Sequence, residues 1–165
     1  MRASIAVLML SVFFVTLIFL QLDMETANLA NTRVKEALNR ATHDAGLMVD
    51  LQEQSNGRIV FDTTAAINAL KATLQDNLAL DSDLTPLPNT LFTDTVSIDF
   101  IEFVDDNDGF TYPYLYENPT YHITKAIKGP SVVAVISVTR PIISGLAEPW
   151  KIRKASVYEY PGLIH

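Results

Sequence analysis

An uncharged run at the start of this chain leaves few choices for its fold. From Ala3 to Leu22, twenty residues pass without a charge, and most are apolar. The run reads Ile5-Ala6-Val7-Leu8-Met9-Leu10, Val12-Phe13-Phe14-Val15 and Leu17-Ile18-Phe19-Leu20. A helix of about 20 residues crosses the roughly 30 Å hydrocarbon layer of a bilayer. Ser4, Ser11 and Thr16 bond back to helix carbonyls in such a segment and do not spoil it. Residues 1–22 are therefore expected to form a transmembrane anchor. Arg2 precedes the run, Asp23 and Glu25 follow it, and the next basic residue is Arg33. The positive-inside bias then sets the N-terminus in the cytoplasm and the rest outside, as a single-pass membrane protein with an extracytoplasmic C-terminal domain. The alternative is a cleaved secretory signal. The apolar core is long for one, and Gln21-Leu22-Asp23-Met24-Glu25 offers no small-x-small cleavage site.

Helical periodicity continues beyond the anchor. Ala27, Ala30, Val34, Ala37, Ala41, Ala45 and Met48 recur at spacings of three and four, one stripe of a 3.6-residue helix. Asn31, Lys35, Glu36, Asn39, Arg40, Asp44 and Asp50 occupy the other face. No proline precedes Pro86, and Asn56-Gly57 is the expected stop, so residues 23–56 read as a stem continuing the anchor. Gly46 weakens this run by about 1 kcal/mol relative to Ala. The stripe is mostly Ala, so it covers little area and needs a close partner. That partner is either the chain's own sheet or neighbouring anchor helices in an assembly, and both can hold at different heights.

Residues 57–165 read as an α+β head. Asp62 is placed to cap a helix over about 63–79, with Ile67, Leu70, Leu74 and Leu78 as its buried stripe. Pro86 and Pro88 make 81–94 a loop. Period-two patterns follow. Val96, Ile98 and Phe100 alternate with Ser97 and Asp99, and a slip at Phe100-Ile101 suggests a bulge. Asp105 to Gly109 reads as a turn into a returning strand over 110–116, which Pro113 makes irregular. Further strands are expected over 121–127, 131–139 and 150–160, and the apolar run Val132 to Val138 suits the centre of a sheet. The expectation is a long helix, a second helix, then a mostly antiparallel sheet of four or five strands.

Composition removes several function classes. There is no Cys, so no disulfide scaffold, no Cys-ligated metal and no thiol nucleophile. A formal net charge of -7 suits neither DNA nor RNA phosphates, so no nucleic-acid partner is expected. Asp105, Asp106 and Asp108 resemble a Ca²⁺ loop only in composition: with Gly109 as the sixth position, Val104 stands where Asp is required. His43, His122 and His165 show no ligand spacing, and no nucleophile elbow, phosphate loop or zinc-protease motif occurs. No catalytic residue, metal or cofactor is expected, and an exported hydrolase ranks last. Tyr112, Tyr114, Tyr116 and Tyr121 form an aromatic cluster that suits either a strand face or a partner surface.

Arg2-Ala3-Ser4-Ile5-Ala6-Val7, the apolar helix, and the stem Val34-Lys35-Glu36-Ala37-Leu38-Asn39-Arg40-Ala41-Thr42-His43-Asp44-Ala45 together resemble the start of the TadE-like minor pilins, or pseudopilins, of tight-adherence pilus systems. The resemblance covers residues 2–50. It implies a short basic leader, a processing site at Ala3 and Ser4, a hydrophobic helix, an amphipathic stem and a small α/β head outside the membrane. Two positions depart from that pattern. Ala3 stands where the family has Gly before the cut, and Leu8 stands where it has Glu at the fifth mature position. A Leu cannot pair with a neighbour's N-terminal amine, so a non-polymerising or initiating component fits better than a major pilin. The implied partners are membrane lipid and other membrane-anchored or pilin-like subunits, including copies of this chain. The competing expectation is a stand-alone membrane-anchored binding or sensor domain.

Overall fold

The computed structural model describes residues 2–145 and 148–161. It is α+β, with a long apolar N-terminal helix and five strands in antiparallel sheets. Helix α1 (Arg2–Gly46) runs unbroken from the apolar segment into the head. From Ser4 to Leu22 its side chains are exposed except for the half-buried Thr16, with Leu8, Met9, Phe13 and Phe14 among them. Its second half is core: Ala30, Val34, Ala37, Leu38, Ala41 and Ala45 are buried.

The helix ends at Gly46 rather than at Asn56-Gly57. Two features stop it. Met48 N–H bonds to Ala45 O at 3.1 Å, tightening the last turn, and the chain then pairs with 60–62. Asp50 N–H donates to Val60 O at 2.8 Å, and Asp62 N–H donates to Met48 O at 3.0 Å. Asp50 caps a separate short helix, α2 (Leu51–Ser55), accepting from Gln52 N–H at 2.8 Å and Glu53 N–H at 3.2 Å. Asn56-Gly57 ends α2, with Gly57 at φ 79°.

Helix α3 (Thr63–Leu78) starts where Asp62 accepts from Ala65 N–H at 2.9 Å. Ala66, Leu70, Leu74 and Leu78 are buried, while Ile67 lies at the margin. The Ala stripe of α1 lets α3 and the sheet approach closely, and the larger side chains Leu38, Leu70 and Leu74 fill the space. The segment 81–94 is a loop, but Leu84 and Phe92 reach the core from it.

The strands are β1 (Ser97–Val104), β2 (Tyr114–Asn118), β3 (Ile123–Ile127), β4 (Ser131–Thr139) and β5 (Lys151–Glu159). They form two sheets rather than one: three strands in order β1-β4-β5, and a separate β2-β3 hairpin. The turn at 105–109 therefore does not return a strand onto β1. It leads across to the hairpin, and β4 takes the place beside β1. The head is thus layered as helices, three-stranded sheet, hairpin. That layering explains β4, which is buried on both faces. Val132, Ala134, Ile136 and Val138 meet the helices, whereas Val133 and Val135 meet the hairpin layer.

The β1 bulge falls between Ile98 and Phe100, centred on Asp99. An extra residue reverses the in-out alternation. Val96 and Ile98 face the helices before it, and Ile101 and Phe103 do so after it. Phe100 is thereby sent to the hairpin side, where its ring lies 5.2 Å from that of Tyr121.

Candidate functional site

Among the described residues, two regions stand out as able to meet something outside the chain. The first is the uncovered half of α1. Helix length and composition over this segment suffice to cross a membrane once. Ser11 Oγ and Thr16 Oγ1 each donate to the carbonyl four residues earlier at 2.9 Å, so neither hydroxyl is left unsatisfied in an apolar medium. Ser4 is exposed on this helix, and the side chain of Ala3 lies outside the described residues. Leu8 is 67% exposed and has no charge to offer a neighbour.

The second region is the junction where the apolar run ends. Asp23 is only 2% exposed although it directly follows Leu22. The segment after β4 folds back onto it. Ile143 N–H donates to Asp23 Oδ1 at 2.8 Å and Ser144 N–H does so at 3.1 Å, and the Ser144 hydroxyl donates to Oδ2. The Arg140 guanidinium reaches the Asp23 carbonyl at 3.4 Å. The Ser144 hydroxyl first, and then the Ile143 N–H, hold the Asp23 carboxyl below its ordinary value. Beside this latch an open cleft of about 480 Å³ is walled by Leu29 of α1, Leu91 of the 81–94 loop, and Arg140, Ile142 and Ile143. Ile143 and Trp150 are exposed at its rim side, and Arg140 sits 5.9 Å from the centre of the Trp150 ring.

The other positions singled out from sequence are occupied by structural work. Ala27, Ala30, Val34, Ala37, Ala41 and Ala45 are buried inside this chain, and Met48 packs at the edge of the same core. The stripe is covered by α3, β4 and β5, which is the intramolecular alternative. The tyrosines pack between the hairpin and the sheet. Tyr116 is buried, and its hydroxyl donates to Glu102 across the two sheets. Tyr121 donates to the Asp99 carbonyl at 2.8 Å. Tyr114 stacks on Phe110 with ring centres 4.2 Å apart. The Tyr112 hydroxyl is buried and finds no partner among the described residues. Burial raises the phenols of Tyr112 and Tyr116 to about 12, helped by Asp106 and Asp105 in the first case and by the Glu102 bond in the second.

The acidic turn spends its carboxylates on backbone N–H groups. Asp105 accepts from Phe61 at 3.1 Å and Asn107 at 2.9 Å, Asp106 accepts from Ile59 at 2.7 Å, and Asp108 accepts from Asp105 at 2.9 Å. Its role is to dock segment 58–61 onto the end of β1. His43 contacts Asp44 at 3.0 Å and the Tyr158 ring, with 4.8 Å between ring centres. His122 has φ 54° in the hairpin turn, and His165 lies outside the described residues. Among the described residues, no group of three or more His, Asp or Glu converges as a metal site would require.

The Asp23 latch is not among the sequence expectations. The signal for it is faint: an acid directly after an apolar run, with no basic partner within helix reach. Its partners lie about 120 residues away. Comparison with protein-family profiles, curated proteins and solved structures gives no match for this chain.

Proposed function

We propose that this protein is a structural, membrane-anchored, pilin-like subunit or assembly component of a surface pilus or secretion-type machine. The observation that carries the reading is the division of labour along α1: one unbroken helix, uncovered over its apolar half and built into the head over the other. A helix of that kind is stored in a bilayer and is available to pack against other helices there. In lipid such packing rests on close van der Waals fit rather than on apolar burial. The N-terminus lies in the cytoplasm and the head outside. The internal Ala stripe is spent within the head, so contacts between subunits fall to the apolar half of α1 and to the outer surface of the head.

The chain has no Cys, so single cysteines give clean reporters. Leu10→Cys and Leu17→Cys, crosslinked in the native membrane, are expected to trap species larger than the monomer, and monomer alone at both positions refutes the assembly reading. The N-terminal residue of the native protein tests the pilin-like part. A start at Ser4 supports processing at Ala3-Ser4, and a start at Met1 leaves an uncleaved component.

A second reading is a stand-alone membrane-anchored binding domain. The cleft between Leu29 and Ile143 favours it. A saturable ligand whose binding is lost in Ile142→Trp, with no crosslinks in the membrane, would establish this reading instead.

A further inference from the structure

The latch on Asp23 fixes more than the helix. Residues 4–22 rise about 28 Å as a helix, which nearly matches the roughly 30 Å hydrocarbon layer. A run of that length has little slack, so Asp23 stands at the edge of the hydrocarbon. Ile143 and Ser144 are bonded to Asp23 through their backbone N–H groups at 2.8 Å and 3.1 Å. They are therefore held at the same level. Trp150 is held there too, because its carbonyl accepts from Arg140 N–H at 2.9 Å while the Arg140 guanidinium reaches Asp23. Ile143 is 55% exposed and Trp150 46% exposed, and Met24 and Pro149 are exposed nearby. In water these side chains leave apolar surface exposed. At the membrane boundary they meet the environment that aromatic and apolar residues favour, with Arg140 and Lys151 close to the headgroups.

We infer that the segment 141–145, together with Trp150, is a second membrane contact. It lies in the lipid headgroup layer beside α1, with Ile143 and Trp150 turned into the top of the acyl region. The occupant is the phospholipid of the bilayer that holds the anchor, because the bonded latch leaves the segment no other level. The head is thus seated on the membrane at two points rather than held clear of it on a stem. This inference rests on reading residues 4–22 as a membrane span.

Trp150 is the sole Trp of the chain, so its fluorescence reports this site directly. The full chain is reconstituted in phosphatidylcholine vesicles. Trp150 emission is expected to shift to the blue relative to water, to resist iodide, and to be quenched by phosphatidylcholine brominated near the top of its acyl chains. Ile143→Asp is expected to weaken the brominated-lipid quenching while leaving the chain in the vesicles. In parallel, the Val12→Cys variant is treated with a membrane-impermeant maleimide. If that introduced thiol is unreactive while Trp150 is open to iodide and untouched by brominated lipid, the seating is overturned and the span stands. If the introduced thiol reacts, both are overturned together.

Discussion

The contact between Gly46 and Tyr158 supplies a test in which one substitution changes sign with its background. A Cβ built on Gly46 would lie 2.7 Å from Tyr158 Cε1 and closer still to Cδ1. These are ring atoms near the root of the side chain, and the ring is already held against His43, so it has little room to yield. Gly46→Ala therefore forces a local shift of the kind that costs about 1–3 kcal/mol. Against this stands a helix-propensity gain of up to about 1 kcal/mol, diminished because Gly46 is the last residue of α1. The net expectation is a loss of about 1–2 kcal/mol. In a Tyr158→Ala background the obstacle is gone, and the same Gly46→Ala should stabilise by up to about 1 kcal/mol. The assay is urea unfolding of the detergent-solubilised full chain, followed by Trp150 fluorescence, for the four members of this cycle. A coupling energy near zero, or a Gly46→Ala loss of equal size in both backgrounds, would refute the reasoning.

Three further outcomes are expected. Leu70→Ala or Leu74→Ala removes a fully buried side chain between α3 and α1 and should cost about 2–5 kcal/mol in the same unfolding assay. Tyr112→Phe deletes a buried hydroxyl without a partner among the described residues and should leave stability unchanged or raised by up to about 1 kcal/mol, whereas Tyr116→Phe breaks the bond to Glu102 and should cost about 1 kcal/mol; an ultraviolet titration should show both phenols ionising near 12. Burial opposes the charge on Glu159, but the Lys128 N–H at 3.0 Å and the Lys125 ammonium at 3.0 Å outweigh it and lower its carboxyl below the ordinary 4.5. A depressed acid contributes stability that is present above about 4.5 and fades as pH falls through the folded value, so Glu159→Gln should lower stability above about 4.5, converge with the parent chain below the folded value, and thereby flatten the acid side of a stability–pH profile.

Local signals in this sequence are legible, and long-range pairings are not. The apolar N-terminal helix, the Asp62 cap and the twice-buried β4 each announce themselves within a few residues, by hydropathy, by a capping acid and by an unbroken apolar stretch. The helix stop at Gly46 escapes such reading because it depends on the pairing of Met48 and Asp50 with 60–62 and on the Asp50 cap hidden inside a helical pattern. The sheet divides into two for a similar reason. Asp105 to Gly109 has hairpin chemistry, but Asp105 and Asp106 accept from Phe61 and Ile59, and the chain leads on to the β2-β3 hairpin rather than back along β1. The Ala stripe is legible as a seam, but the covering face is not, since α3 and a neighbouring subunit would ask for the same small residues. For the candidate site, the uncovered apolar helix is plain from hydropathy alone. The Asp23 latch is not, because a single acid carries no sign of the backbone groups that will meet it.

The absence of any break between the two halves of α1 couples orientation as well as position. A head built around the same helix that carries the apolar run has no swivel relative to it, so each residue added or removed at the end of that run acts as a gear tooth. One alanine inserted between Leu22 and Asp23 would advance the head by about 1.5 Å and turn it by about 100° about the helix axis, presenting a different side of the sheet to every neighbour. Two would turn it nearly to the opposite side, while four would bring it back to within about 40° of its starting azimuth, one turn higher. The azimuth of the head is thus written in the length of the apolar run, residue by residue, in a way that a flexible tether would erase.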